Sequence, residues 1–182
     1  MHAVICSDAD YESVPFQKFM QSERAAGYSQ WIFDLIENRF HKNNEKVFID
    51  GPAWCLCADK HNSHDTSYLV VFKDKSLRTL WDLRSAHVGL LEEIQATVLA
   101  WLKRRHPQQY CMYFHYMPSV FQLHLHVNSC AQYINRHRAH FLATVMRNLR
   151  RQSEHYARAL ILTKMCKTLK KAETHETVKV GI

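Results

Sequence analysis

Apolar residues recur along this chain in two periods, and each period marks a different kind of element. From Ser29 onward, Trp31, Ile32, Leu35, Ile36 and Phe40 fall three or four residues apart, one face of a helix that Ser29 can cap. KVFI (Lys46 to Ile49) and AWCLC (Ala53 to Cys57) are short β-prone runs parted by Asp50, Gly51 and Pro52, which predicts a hairpin. A polar stretch from Asp59, carrying His61 and His64, reads as a loop before SYLVVF (Ser67 to Phe72), an apolar run of central-strand type. Between Ser85 and Pro107, Val88, Leu91, Ile94, Val98, Trp101 and Leu102 form a helical stripe. Ser85 stands as its N-cap, and Lys103, Arg104 and Arg105 in its last turn suit the negative end of the helix dipole.

Tyr110 to Tyr116 and Phe121 to Asn128 then predict two strands joined by MPSV (Met117 to Val120). Arg136 to Arg151 predicts an amphipathic helix, with Phe141, Leu142, Val145, Met146 and Leu149 inward and Arg138, Arg147, Arg150 and Arg151 outward. A late strand over Ala159 to Leu162 and a short helix over Lys164 to Lys171 follow. Before Ser29 the apolar positions Tyr11, Phe16, Phe19 and Met20 are scattered ahead of Gly27 and predict one short helix. The expected organisation is an N-terminal arm (1–28), a single α+β domain with an antiparallel sheet and packed helices (29–171), and a loose polar tail (172–182).

Composition narrows the class. At 182 residues a core can form without disulfides or structural metals, and 47% hydrophobic residues with only 4 Gly and 4 Pro exclude a disordered or fibrous chain. No run of 18 apolar residues and no basic-then-apolar N-terminus are present, so the expectation is an intracellular protein with no membrane contact. Cys6, Cys55, Cys57, Cys111, Cys130 and Cys166 include no CxxC pair and read as free thiols, mostly small core residues. A net charge of +7 favours an anionic partner without naming it.

Chemistry concentrates in FQLHLHV. Phe121, Leu123, Leu125 and Val127 alternate with Gln122, His124 and His126, so one strand face packs and the other presents imidazoles. With MPSV as a four-residue turn, Tyr113 would pair with His124 and Cys111 with His126, placing His115 on the imidazole face. A neutral imidazole is a nucleophile toward phosphorus near pH 7, and neighbouring rings can hold its tautomer, bind phosphate oxygens and protonate a leaving group. A half-exposed polar strand face explains an HxH pair equally well. A zinc site of His124 and His126 with His115, His61 or His64 is the weaker alternative, since the acidic or thiolate ligand usual beside such a set is not obvious nearby.

The segment YFHYMPSVFQLHLHV (Tyr113 to Val127) resembles the histidine-triad family, and within it the branch that hydrolyses mRNA caps. QWIFDLIEN (Gln30 to Asn38), SLRTLWDLRSAHVGLLEEI (Ser76 to Ile94) and RHRAHFLATVMRNL (Arg136 to Leu149) are similar to family helices in the same order. The resemblance implies a histidine-triad-like fold, a homodimer, a cytoplasmic or also nuclear location, and no metal or cofactor. It implies that His124 attacks phosphorus and becomes nucleotidylated, that His126 and His115 bind phosphate oxygens and assist the leaving group, and that Ser119, beside Pro118, supplies a contact. Trp31 would stack on the base, although it also sits on an apolar helical stripe where a core tryptophan fits. Lys73 and Lys75 would meet the triphosphate chain, although charges ending a strand are commonly just solvated.

The departures from the family pattern concern the first triad position and the base pocket. Gln122 replaces a histidine and cannot shuttle a proton at neutral pH. The acidic residues that would select a cationic methylated guanine have no direct match: Lys73 stands where one is expected, and none stands near Lys42. Glu37, Glu45, Asp50 and Asp74 are the candidates to replace them. The family's N-terminal lid has no counterpart in residues 1–28, so a more open or differently covered site is expected. The expected function is hydrolysis of the cap's triphosphate bridge in capped RNA fragments or the cap nucleotide; Arg136, Arg138, Arg147, Arg150 and Arg151 read as a solvated helix face, with an RNA contact as the alternative. The rivals are a cap- or RNA-binding module with a degenerate triad, and a general phosphoramidate or dinucleoside polyphosphate hydrolase.

Overall fold

The computed structural model describes residues 3–6, 30–38, 46–59, 66–116, 118–132, 134, 136, 138–158 and 161–164. The short helix expected before Gly27, most of that over 164–171, the polar tail and the His61/His64 loop lie outside the described residues. Six strands form one antiparallel sheet: β2 (Val47–Asp50), β3 (Trp54–Ala58), β4 (Ser67–Phe72), β5 (Tyr110–His115), β6 (His124–Ser129) and β7 (Ala139–Phe141). Its spatial order is β2-β3-β4-β6-β5-β7. A separate two-stranded sheet pairs β1 (Ala3–Cys6) with β8 (Ile161–Lys164). The helices are α1 (Gln30–Ile36), α2 (Val88–Lys103), α3 (Leu142–Arg151) and the single turn α4 (His155–Arg158). None of these helices is long and apolar enough to cross a membrane.

The sheet separates two apolar clusters, as the alternation of its strands requires. On one face Trp54, Leu56, Tyr68, Val70, Phe72, Phe114, Leu125 and Val127 pack with the predicted stripe of α2 and with Leu142, Val145, Met146 and Leu149 of α3. On the other, Cys55, Cys57, Leu69 and Val71 pack with Ile32, Leu35 and Ile36 of α1. Asn38 closes α1 in the left-handed region at φ 60°, a conformation asparagine tolerates at helix ends. The β2–β3 hairpin turns where predicted, with Gly51 N donating to Trp54 O at 2.9 Å.

Four expectations are corrected. Ser85 does not cap α2: Ser85–His87 form a 3-10 turn, and the Ser85 hydroxyl instead reaches Ser153 Oγ at 2.8 Å. The helix expected from Arg136 starts at Leu142, because Ala139–Phe141 complete the outer edge of β5, with His140 opposite Phe114. The late strand lies two residues on, at Ile161–Lys164, where β1 sets its register.

The fourth correction concerns the connection between β5 and β6. MPSV is no four-residue turn: β6 begins at His124, and Tyr113 pairs with His126 instead of His124, a shift of two positions. The segment before β6 bonds elsewhere, Leu123 N donating to Leu77 O at 2.8 Å and Leu123 O accepting from Phe72 N at 3.1 Å. Because strand side chains alternate with a period of two, a two-residue slip leaves every side chain on its expected face.

Two truncations on α2 separate its buried and exposed positions. Leu91→Ala, at a fully buried site, is expected to cost about 2–5 kcal/mol in urea unfolding, whereas Leu99→Ala, at a position 41% exposed, should stay within about 0.5 kcal/mol. Equal losses at both positions would contradict this placement of the helix.

Candidate active site

Strand β6 runs between β4 and β5, so its two faces are set by side chains alone. Leu125 and Val127 enter the core. His124 and His126 point the other way, cross-strand from Val71 and Leu69, beside the cluster under α1. On β5, Tyr113 faces His126 and His115 follows two residues later, so the imidazole group spans both strands. The ring centroids of His115 and His126 are 4.3 Å apart, and those of His124 and His126 are 5.2 Å apart. Tyr113 lies nearly parallel to His126, at 5.3 Å and 10°, and its hydroxyl accepts a hydrogen bond from Asn128 Nδ2 at 3.1 Å.

The tautomer of His124 follows from one contact. Its Nδ1 lies 2.7 Å from the carbonyl oxygen of Gln122, and a carbonyl only accepts, so Nδ1 carries the proton and Nε2 the lone pair. Burial, and then the charge of His126, hold this ring down to about 4, so it is neutral at pH 7. His115 is held down further, to about 2, by burial and then by the charges of His126, Arg138, His124 and His140. His126 has a carboxylate neighbour instead: Asp59 Oδ2 lies 3.8 Å from its Nδ1, an ion-pair partner whenever the ring is protonated. Its Nε2 is buried without a protein hydrogen-bond partner.

Gln122 is wholly buried, and its side-chain nitrogen is committed to backbone carbonyls. Nε2 donates to Phe72 O at 2.8 Å and to Asp74 O at 2.9 Å, gripping the backbone on either side of Lys73. Gln122 thus contributes its backbone carbonyl to His124 and its side-chain amide to the loop after β4.

The other expected residues disperse around this centre. Trp31 is half-buried against the α1 cluster. Lys73 pairs with Asp50 at 2.6 Å, and Lys75 pairs with Glu37 at the end of α1, also at 2.6 Å. Asp74 is held below the usual carboxylate range by side-chain and then backbone hydrogen bonds from Ser76. Glu37, Asp50 and Asp74 are therefore engaged with local partners, while Lys42 and Glu45 lie outside the described residues. Pro118 is buried and Ser119 exposed in the connection between β5 and β6.

Sequence reasoning missed Asp59, Tyr113 and Asn128 as members of the site. Asp59 was hidden as the first residue of a polar run, but its N–H bonds to Ser67 O at 3.0 Å, which keeps it at the strand end beside His126. Tyr113 and Asn128 could have been found by the same alternation that placed His115. Among the described residues no group of three or more His, Cys, Asp and Glu is arranged to hold a metal ion.

An antiparallel sheet presenting a buried, tautomer-fixed histidine beside two more rings defines a histidine-triad protein. Residues 30–140 match the family model described as the scavenger mRNA decapping enzyme C-terminal binding domain, more than half of the chain, and the chain belongs to that family. It is 26% identical to the m7GpppX diphosphatase of Bos taurus over 172 residues, covering 87% of this chain and 50% of the relative. Against the Homo sapiens protein of the same name it is 28% identical over 142 residues, covering 70% of this chain and 41% of the relative. The chain thus spans about half the length of the curated relatives it matches.

The two depressed rings make stability depend on pH. The unfolded chain binds more protons than the folded one between about pH 4 and pH 6.5, so stability should fall as pH drops through that window. Urea unfolding at pH 7 and pH 5 should show the loss, with a smaller decline in His115→Asn. An unchanged pH slope in both His115→Asn and His124→Asn would mean that these rings are not held neutral by the fold.

Proposed function

We propose that this chain hydrolyses the triphosphate bridge of an N7-methylguanosine mRNA cap through a covalent nucleotidyl-His124 intermediate. The observation that carries the reading is the fixed, neutral His124, whose Nδ1 proton is committed to Gln122 O and whose Nε2 keeps its lone pair. Nε2 attacks the phosphorus next to the methylated guanosine. The P–N bond forms as the bridging P–O bond breaks, and the other nucleoside leaves as a diphosphate. His126, with Asp59 as counter-charge, is the ring suited to give the leaving oxygen its proton. His115 stays neutral and offers hydrogen bonds to phosphate oxygens. Water then cleaves the P–N bond, releasing methylguanosine monophosphate and restoring His124.

Gln122 fits this scheme because the contact the nucleophile needs comes from the backbone, which glutamine and histidine supply alike. Trp31, Lys73, Lys75, Ser119 and Pro118 complete the substrate surface in this reading. Homodimerisation and a cytoplasmic or nuclear location belong to the same proposal. So does contact of longer capped RNA with α3, where Arg147 and Arg151 are exposed and Arg150 pairs with Glu92. The specific observation favouring a binding module is that the Gln122 amide is occupied by two carbonyls and leaves the first triad position without a proton to transfer.

Incubation with a methylated cap dinucleotide, its unmethylated analogue and adenosine phosphoramidate separates these readings. Wild type should release methylguanosine monophosphate, with or without chelator. His124→Ala should lose turnover by at least about a thousandfold while keeping its circular dichroism. Cleavage of only the other compounds would replace cap hydrolysis by a general nucleotide hydrolase, and binding without consumption would leave a binding module.

A further inference from the structure

Cys111 and Cys130 bracket the catalytic hairpin. Cys111 lies on β5 opposite Asn128, and Cys130 directly follows β6, its N–H bonded to Gln109 O at 2.9 Å. The two are therefore diagonal cross-strand neighbours. Their sulfurs lie 2.7 Å apart, so only a small movement separates them from an S–S bond of about 2.05 Å. Tyr113, His115, Gln122, His124 and His126 all fall between them in the chain.

We propose that Cys111 and Cys130 are a reversible disulfide site that closes the catalytic hairpin into a covalent ring, with a peroxide or a small-molecule disulfide as oxidant. The proposal stands apart from the hydrolase reading. Cys130 is exposed and Cys111 half-buried, so Cys130 meets the oxidant first. Burial, and then the adjoining Cys130, push the Cys111 thiol up to about 11 against the pull of the Arg136 charge, which suits Cys111 to the second step. With hydrogen peroxide, the Cys130 thiolate attacks one oxygen, the O–O bond breaks, and the departing hydroxide takes up a proton, leaving a sulfenic acid. The Cys111 sulfur then displaces the sulfenic oxygen, which leaves as water with the Cys111 proton. Two thiols and one peroxide give one disulfide and two waters.

Cys55 and Cys57 lie two residues apart on β3 but are fully buried between the sheet and α1, out of an oxidant's reach in the folded chain. Closing the hairpin ring limits the unfolded chain and should raise the thermal midpoint by roughly 5–10 °C.

The test treats the folded protein with hydrogen peroxide or oxidised glutathione, blocks the remaining thiols, and maps peptides without reduction. The expected result is a linked Cys111–Cys130 peptide and a raised thermal midpoint, both reversed by dithiothreitol and both absent in Cys130→Ser and Cys111→Ser. Thiols that both remain open to alkylation would overturn the proposal. So would a sulfinate or mixed glutathione adduct on Cys130 with no linked peptide, or an unchanged midpoint in the linked form.

Discussion

The position of β6 inside the sheet is the constraint from which the site follows. A strand hydrogen-bonded on both sides has no free edge, so it communicates only through its two faces. Leu125 and Val127 anchor one face in the core, and this holds His124 and His126 on the other. The Nδ1 proton of His124 is then placed by a backbone carbonyl two residues earlier, in the segment that leads into the strand. Fold and chemistry are tied together at that point: whatever shifts the start of β6 shifts the tautomer.

Much of this was legible in the residues. The α2 stripe, the central run Ser67–Phe72 and the turn at Gly51 follow from periodicity and turn chemistry, which are local signals. The face carrying His115, His124 and His126 was legible because parity survives a slip of two. The register itself was not, because Leu123 is tied to Leu77 and Phe72, residues about fifty positions away that no turn rule can see. The segment Arg136–His140 misled for a related reason. A helix follows from Leu142, but the open edge of β5 takes Ala139–Phe141 as a strand, a demand made by the sheet and invisible in the segment. Asp59 was missed because its burial beside His126 depends on a strand pairing, not on the polar run in which it sits.

The lysines show where charge arithmetic falls short. Lys73 and Lys75 were read as free cations near a phosphate chain, yet each has a carboxylate at 2.6 Å. The Lys75–Glu37 pair is the more exposed of the two, and surface pairs contribute about 0–1 kcal/mol, so an anion can exchange for Glu37 at little cost. The Lys75–Glu37 pair also joins the end of α1, and with it Trp31, to the loop that Gln122 grips. Gln122 therefore influences where the surrounding groups stand.

The three clustered rings bring less positive charge than their number suggests. With His124 and His115 both far below their ordinary range, most of the cluster is uncharged at neutral pH. A phosphate chain settling among them raises the affinity of each ring for a proton, since an adjacent negative charge favours the cationic form. Binding of any anion and proton uptake would then be thermodynamically linked: the occupied site would draw hydrogen ions from the medium, and the apparent heat of association would vary with the ionisation enthalpy of the buffer.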